Sequence, residues 1–175
     1  MRIAIDDQWR VHATNSLIVP MRASVVWGQM RDLRWFLTID PLHARAILDS
    51  PTPGLPRWPR GAKLVLSHRL LGIGPDRIGR VLKWTEGCGF AISDLSKRGP
   101  RKGFPHVCCY ELHRIDDRSC QISVSVRGRW TLRMLPRFIA RAWLWWVMHE
   151  TSVCLRREFT ILARSLPCRS AAFHD

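Results

Sequence analysis

The chain has 175 residues, of which 46% are apolar and 24% charged, and 28 Lys and Arg against 14 Asp and Glu give a formal charge of +14. Nine tryptophans and six phenylalanines exclude a disordered chain, so the composition predicts one folded domain with a sizeable core. The densest apolar run, residues 142–148, has seven residues, whereas a membrane-spanning helix needs roughly 20.

Arginine supplies 24 of the 28 basic residues, and the arginines are spread from Arg2 to Arg169. Nucleic-acid interfaces usually concentrate their basic residues on one face or in one segment. The even spread therefore argues against nucleic-acid binding.

The six cysteines show no CxxC pair and no spacing typical of zinc ligands. Asp6, Asp7 and Arg10 interrupt the first ten residues, where a cleavable leader would be apolar. We therefore expect reduced thiols and a cytoplasmic protein. No metal site or cofactor is predicted, because zinc-protease, phosphate-loop and dinucleotide-binding motifs are absent from the sequence.

Hydrophobic periodicity predicts the order of the structural elements. Residues 12–19 alternate as a strand that ends at Pro20, and two short helices follow over residues 24–30 and 33–37. A proline-rich loop over residues 50–61 separates a second strand from a third. Period-two alternation predicts the remaining strands over residues 64–70, 78–84, 90–94, 106–115 and 120–133.

The alternation also predicts which side chains are buried. In the fourth strand, Ile78, Leu82 and Trp84 share the buried face. In the fifth strand, Phe90, Ile92 and Asp94 occupy the inner positions, and Asp94, at the end of the strand, is predicted to be a rim residue. In the last strand, the predicted buried side chains are Cys120, Ile122, Val124, Val126, Trp130 and Leu132.

A long amphipathic helix is predicted over residues 135–163, where the period changes to 3.6. Its apolar stripe collects Ala140, Trp143, Leu144, Val147, Met148, Cys154, Leu155, Phe159 and Leu162. Thr151 and Glu158 fall near the centre of this stripe.

This order of elements resembles the helix-grip superfamily, often called SRPBCC, which includes START domains, birch-pollen-allergen-like proteins and polyketide cyclases. The segment VPMRASVVWGQMRDLRWF (residues 19–36) and the terminal helix carry the resemblance. It implies an α+β helix-grip domain over residues 11–165, with a curved antiparallel sheet of about seven strands wrapped around the C-terminal helix. Residues 1–10 would be an N-terminal extension and 166–175 a tail. A proline-rich loop replaces the usual glycine-rich hairpin.

The resemblance implies that an apolar cavity binds or carries a hydrophobic small molecule, such as a lipid, quinone or polyketide-like compound. A cyclase/aromatase-type enzyme is the first alternative, and a basic protein that docks on anionic membrane or nucleic acid is the second. The candidate ligand-binding residues are His68, Phe90, Ile92, Tyr110, Trp130, Val147, Thr151 and Glu158.

Three of these candidates carry polar groups whose roles stay open. His68 could orient or protonate a ligand, or be a hydrogen-bonded core histidine. The Tyr110 hydroxyl could anchor a ligand carbonyl or bond to the backbone. The Glu158 carboxylate must be paired, protonated or exposed to a cavity, and an ion pair with arginine is favoured over a catalytic acid.

Trp145 and Trp146 lie off the apolar stripe, near Arg137 and Arg141. Exposed tryptophan beside arginine is typical of an anionic membrane surface, which gives the hypothesis of a peripheral protein. The alternative is that these tryptophans pack against the chain's own N-terminal elements.

Overall fold

Eight strands form one antiparallel sheet in the part of the chain that the computed structural model describes, residues 1–39, 43–49, 60–68, 76–97, 104–132 and 134–165. The strands are β1 (Arg2–Ile5), β2 (Arg10–Val19), β3 (His43–Asp49), β4 (Lys63–His68), β5 (Asp76–Thr85), β6 (Gly89–Ser96), β7 (His106–Arg114) and β8 (Cys120–Arg129). The helices are α1 (Ala23–Met30), α2 (Leu33–Thr38) and α3 (Arg137–Ser165). The sheet order is β1-β2-β8-β7-β6-β5-β4-β3. The predicted helix-grip fold is confirmed.

The edge strand β1 lies within the predicted N-terminal extension and pairs with β2, with Ile5 opposite Val11. The turn between them is held by Asp6, whose carboxylate accepts hydrogen bonds from the backbone N–H of Gln8 at 2.9 Å and of Arg10 at 2.8 Å. The extension is therefore part of the sheet. The predicted tail, residues 166–175, lies outside the described residues.

The two short helices occur where they were predicted. Asp32 caps α2 by accepting hydrogen bonds from the N–H groups of Arg34 and Trp35. The carboxylate of Glu86 accepts from both indole N–H groups of Trp27, at 2.7 Å, and Trp84, at 3.0 Å. These two hydrogen bonds connect α1 to the turn between β5 and β6.

The predicted stripe of α3 is confirmed, and its fully buried residues recur every three or four positions: Ala140, Leu144, Met148, Thr151, Leu155 and Phe159. The backbone of α3 runs close to β2 and β1 and stays farther from β5, β6 and β7. Asn15 fixes the near edge, because its Nδ2 donates to Ser152 Oγ at 2.6 Å. Over β5, β6 and β7, large side chains must fill the greater distance between α3 and the sheet.

The predicted facing of β5 is wrong for two residues. Ile78 and Leu82 are 39% and 38% exposed, whereas Val81 is fully buried. A β-bulge between Val81 and Lys83 reverses the alternation, which brings Trp84 back to the buried side. Arg77 shares the inward side with Val81, so it lies on the inner face of the sheet, the face that packs against α3.

The last strand is also shorter than predicted. It ends at Arg129, and the N–H of Trp130 donates to the carbonyl of Trp9 at 2.9 Å. Trp130 stays buried, but Leu132 is 48% exposed, so the prediction for Leu132 is wrong. Departure from the sheet ladder removes the two-residue alternation on which that prediction rested.

Two glycine substitutions test the backbone constraints. A Cβ at Gly28, on α1, meets no atom within 4 Å, so Gly28→Ala should raise the free energy of unfolding by about 0.5–1 kcal/mol. At Gly89 the φ angle is +146° and a Cβ would lie 2.1 Å from the Tyr110 carbonyl oxygen. Gly89→Ala should therefore lower the free energy of unfolding by about 1–3 kcal/mol or more. Urea denaturation of both variants gives the comparison, and equal effects would contradict this account.

Candidate ligand-binding site

Most of the predicted site residues lie on the inner face of the sheet or on the facing side of α3. Phe90 and Ile92 on β6 and Tyr110 on β7 are at most 3% exposed, and Phe90 pairs directly with Tyr110 across the strands. Thr151 is buried on α3 and Val147 is half-buried. The side chain of His68, at the end of β4, lies outside the described residues.

A first aromatic cluster fills the inner face near the turn between β5 and β6. It consists of Trp27, Phe36, Trp84, Phe90 and Tyr110. The Phe36 ring meets those of Phe90 and Tyr110 edge-on, with centroids 5.6 and 5.0 Å apart, and Trp84 stacks on Phe90. Such offset and edge-to-face pairs add to burial alone and hold α2 against the sheet.

A second aromatic cluster lies at the opposite end of the inner face, beneath the first half of α3. Trp130 contacts Phe104 and Trp143, with ring centroids 5.6 and 5.7 Å away. His106 stacks on Phe104 at 4.6 Å. Ile92 and Cys108, paired across β6 and β7, lie between the two clusters.

A buried charged network adjoins the second cluster. Asp94 is 1% exposed, and one carboxylate oxygen is ion-paired with Nε of Arg77. Its other oxygen lies 3.5 Å from Nε2 of His106, its cross-strand partner. Arg77 also donates to the backbone carbonyl of Phe104 at 2.6 Å. Asp94 is therefore not the predicted rim residue, because the network draws it into the interior.

The hydrogen bonds around His106 fix which ring nitrogen carries a proton. Nδ1 lies 2.8 Å from the carbonyl oxygen of Phe104, and a carbonyl oxygen can only accept. Nδ1 is therefore the donor, and Nε2 faces the Asp94 carboxylate. The imidazole therefore lies between two hydrogen-bond acceptors, the Phe104 carbonyl and the Asp94 carboxylate.

The sequence reasoning missed Arg77 and His106 as site residues. The inward position of Asp94 could be seen from its alternation with Phe90 and Ile92. Arg77 was hidden by the bulge in β5, and the pairing of His106 with Asp94 depends on strand register.

Glu158 is half-buried, and it forms no ion pair among the described residues, so the predicted arginine partner is not observed there. The polar contact between α3 and the sheet is made instead by Asn15, which also reaches the carbonyl of Met148 at 3.4 Å. Burial raises the pKa of the Cys120 thiol to about 11, which leaves this inner-face sulfur protonated and unreactive at neutral pH.

No group of three or more His, Cys, Asp or Glu side chains among the described residues is arranged to hold a metal ion. None of the described helices combines the length and apolar composition needed to cross a membrane.

Comparison of the sequence with protein-family models and with curated proteins gives no match. Solved structures are similar, however. A START superfamily protein from Mycobacterium smegmatis superimposes with a TM-score of 0.67 at 13% identity, over 86% of this chain and 98% of that chain. The Zhui aromatase/cyclase from Streptomyces sp. R1128 gives 0.65 at 15% identity, over 89% and 94%.

A third similar structure is the di-domain aromatase/cyclase StfQ from the steffimycin biosynthetic pathway, with a TM-score of 0.67 at 10% identity. The match covers 89% of this chain and 52% of that longer protein. These likenesses place the chain in the START-like helix-grip fold, as the sequence predicted.

Removal of the charge on Asp94 tests the buried network. Asp94→Asn keeps the side-chain shape but leaves the buried Arg77 without its counter-ion, so the free energy of unfolding should fall by about 3–5 kcal/mol. The matched control is Asp117→Asn, which breaks the pair between Arg114 and an 82% exposed carboxylate and should cost below about 1 kcal/mol. Denaturant titration measures both, and similar losses would show that the Asp94 network is not buried as described.

Proposed function

We propose that this protein binds an apolar small molecule between the inner face of the sheet and α3. The observation that carries the proposal is the position of α3, whose backbone lies close to β2 and β1 but leaves a wider span over β6 and β7. Trp143 of α3 contacts Phe104 and Trp130 across that span. The similar structures named START superfamily protein and aromatase/cyclase support the same reading.

Ligand entry requires the bridging side chains to move, because Phe90, Tyr110 and Met148 are at most 3% exposed. Aromatic and methionine side chains suit this role, since rotation about χ1 and χ2 opens space. A ligand that buries about 200 Å² of apolar surface gains on the order of 5 kcal/mol, which offsets part of the repacking.

Polar groups at the two ends of this region would orient the ligand. The Tyr110 hydroxyl belongs to the first aromatic cluster, and Arg77, Asp94 and His106 adjoin the second. A flat or elongated apolar molecule with oxygen at an end fits this distribution. Lipids, quinones and polyketide-like compounds all have this character.

An aromatase/cyclase-type enzyme is the second candidate, and the inward Arg77, Asp94 and His106 network favours it. An acid and a base meeting on the inner face are the groups that proton transfer to a bound polyketide would need. In the structure their hydrogen bonds are made to one another and to Phe104, so His106 would have to exchange the Phe104 carbonyl for the ligand. A cyclised product formed from a linear polyketide by the natural protein, and lost in His106→Asn, would establish this alternative.

Paired tryptophan substitutions on α3 test the binding region. Val147 is half-buried on the side toward the sheet, whereas Val153 is 46% exposed on the outward side. Val147→Trp should fill the ligand region and weaken binding of a fluorescent fatty acid by about ten-fold or more, a change of about 1.4 kcal/mol. Val153→Trp should bind like the natural protein.

Fluorescence titration gives the dissociation constants, and a rise in melting temperature with ligand checks that the folded state is bound. Mass spectrometry of molecules extracted from the purified protein identifies a natural occupant. Absence of saturable binding across lipids, quinones and aromatic polyketides would overturn the proposal, as would equal binding by both valine variants.

Membrane docking, which would bring a carrier to its source of ligand, is supported by exposed side chains around the start of α3. Phe138 is 70% exposed, Trp145 51% and Trp146 38%. Met134, in the segment before α3, is 99% exposed. Exposed apolar groups of this size are typical of an interaction surface rather than of scattered surface residues.

The two arginines predicted at this surface make contacts within the chain. Arg137 bonds to Asp7 at 2.9 Å and lies over the Trp9 ring, and Arg141 donates to the carbonyl of Ile3 at 3.1 Å. Arg156 and Arg157, exposed farther along α3, are the cations left for an anionic surface.

Vesicle co-sedimentation tests this docking. Binding of the natural protein should increase with the fraction of anionic lipid and decrease with salt, because arginines near the surface contribute about 1 kcal/mol each. The double variant Trp145→Ser/Trp146→Ser should sediment less, whereas Ile18→Ser, which removes an apolar side chain 64% exposed on the other face of the sheet, should not change. Equal sedimentation of all three proteins would leave the tryptophans without a membrane role.

A further inference from the structure

A groove of about 800 Å³ lies on the outer face of the sheet, the face turned away from α3. Its walls carry hydroxyl groups from neighbouring strands, provided by Thr14, Ser16, Ser123 and Ser125. These residues alternate with the buried residues of β2 and β8, so the groove and the proposed apolar site occupy opposite faces of the same strands. The groove is polar where the inner face is apolar.

One end of the groove is strongly cationic. Arg127 lines this end and lies directly opposite His12 in the pairing of β2 with β8. Two positions farther along the same strands, beyond the residues that line the groove, Arg10 lies directly opposite Arg129. Arg2 joins them from β1, opposite Thr14. Arg10 and Arg129 carry like charges at directly opposed positions, which destabilises a strand pair, so this arrangement has an electrostatic cost in the free protein.

The arginines at this end are not neutralised by any of the described residues. Arg2, Arg10, Arg127 and Arg129 make no ion pair or side-chain hydrogen bond in the described structure. The acidic side chain lining the groove, Glu111, lies 3.8 Å from His113. Glu111 is four positions along β7 from Val107, the residue paired with Arg127, which corresponds to about 13 Å of strand.

We propose that this groove binds a small, multiply phosphorylated anion. Guanidinium groups match phosphate oxygens in paired hydrogen bonds, and the serine and threonine hydroxyls supply further donors along the walls. The volume suits a molecule of nucleotide size, within the range of about 300–1,000 Å³ typical of small-molecule sites. Bound phosphate would also relieve the repulsion between the opposed cations.

The test is isothermal titration with sodium triphosphate and, separately, adenosine triphosphate, at low and high salt. Saturable binding with one site per chain, weakened by salt, is expected for both ligands. Arg127→Ser should weaken binding by about ten-fold or more. Arg22→Ser is the matched control, because it removes the same charge from an exposed arginine at the start of α1, outside the groove.

Arg127→Ser should remain folded, since it removes an exposed side chain from the outer face of the sheet. Unchanged binding of a fluorescent fatty acid would show that the inner face of this variant is intact. This second measurement separates failure of the phosphate site from failure of the proposed apolar site. Equal weakening by the two arginine variants would assign binding to overall charge and overturn the proposal. Binding to DNA or anionic vesicles without binding to triphosphate would overturn it as well.

Discussion

The position of α3 relative to the sheet is the constraint on which the rest of the structure depends. The helix is fixed at one edge by short polar contacts, from Asn15 to Ser152 and from Arg141 to the carbonyl of Ile3. Over β6 and β7 its backbone lies farther away, and only large side chains can fill the intervening space. The abundance of tryptophan and phenylalanine follows from this geometry, because small side chains would leave voids that cost packing energy.

An irregularity in the sheet explains why charged side chains lie in the interior of this protein. The bulge in β5 turns Arg77 inward, and desolvation of a lone guanidinium would be costly. Asp94 neutralises it, and the Phe104 carbonyl accepts hydrogen bonds from both Arg77 and His106. The network is therefore a consequence of one inserted residue, and it leaves polar groups beside an otherwise apolar interior.

Periodicity in the sequence predicted much of this fold, because each strand of the sheet buries one face and α3 buries one stripe. Phe90, Ile92 and Tyr110 could be assigned to the inner face from alternation alone, and Thr151 from its angle on the helix. Alternation failed where the backbone leaves regular geometry, at the bulge beside Leu82 and after Arg129. These events depend on contacts with distant residues, such as that of Trp130 with Trp9.

The polar features were harder to predict for a different reason. The placement of His106 beside Asp94 and of Arg127 opposite His12 both depend on which strands are neighbours and in which register. His12 and Arg127 are far apart in the sequence, so no local pattern reveals that they face each other. The overall spread of arginines argued against a concentrated basic site, but pairing of β2 with β8 gathers arginines from both ends of the chain.

The two faces of the sheet are linked through shared strands. Asn15 on β2 holds α3 on the inner side, and its neighbours Thr14 and Ser16 line the groove on the outer side. The repulsion between Arg10 and Arg129 therefore acts on the strand pair that supports the helix. Relief of that repulsion by an anion on the outside would stabilise the β2–β8 strand pair. An anion in the groove and an apolar molecule under α3 would thus act on one structural element from opposite sides.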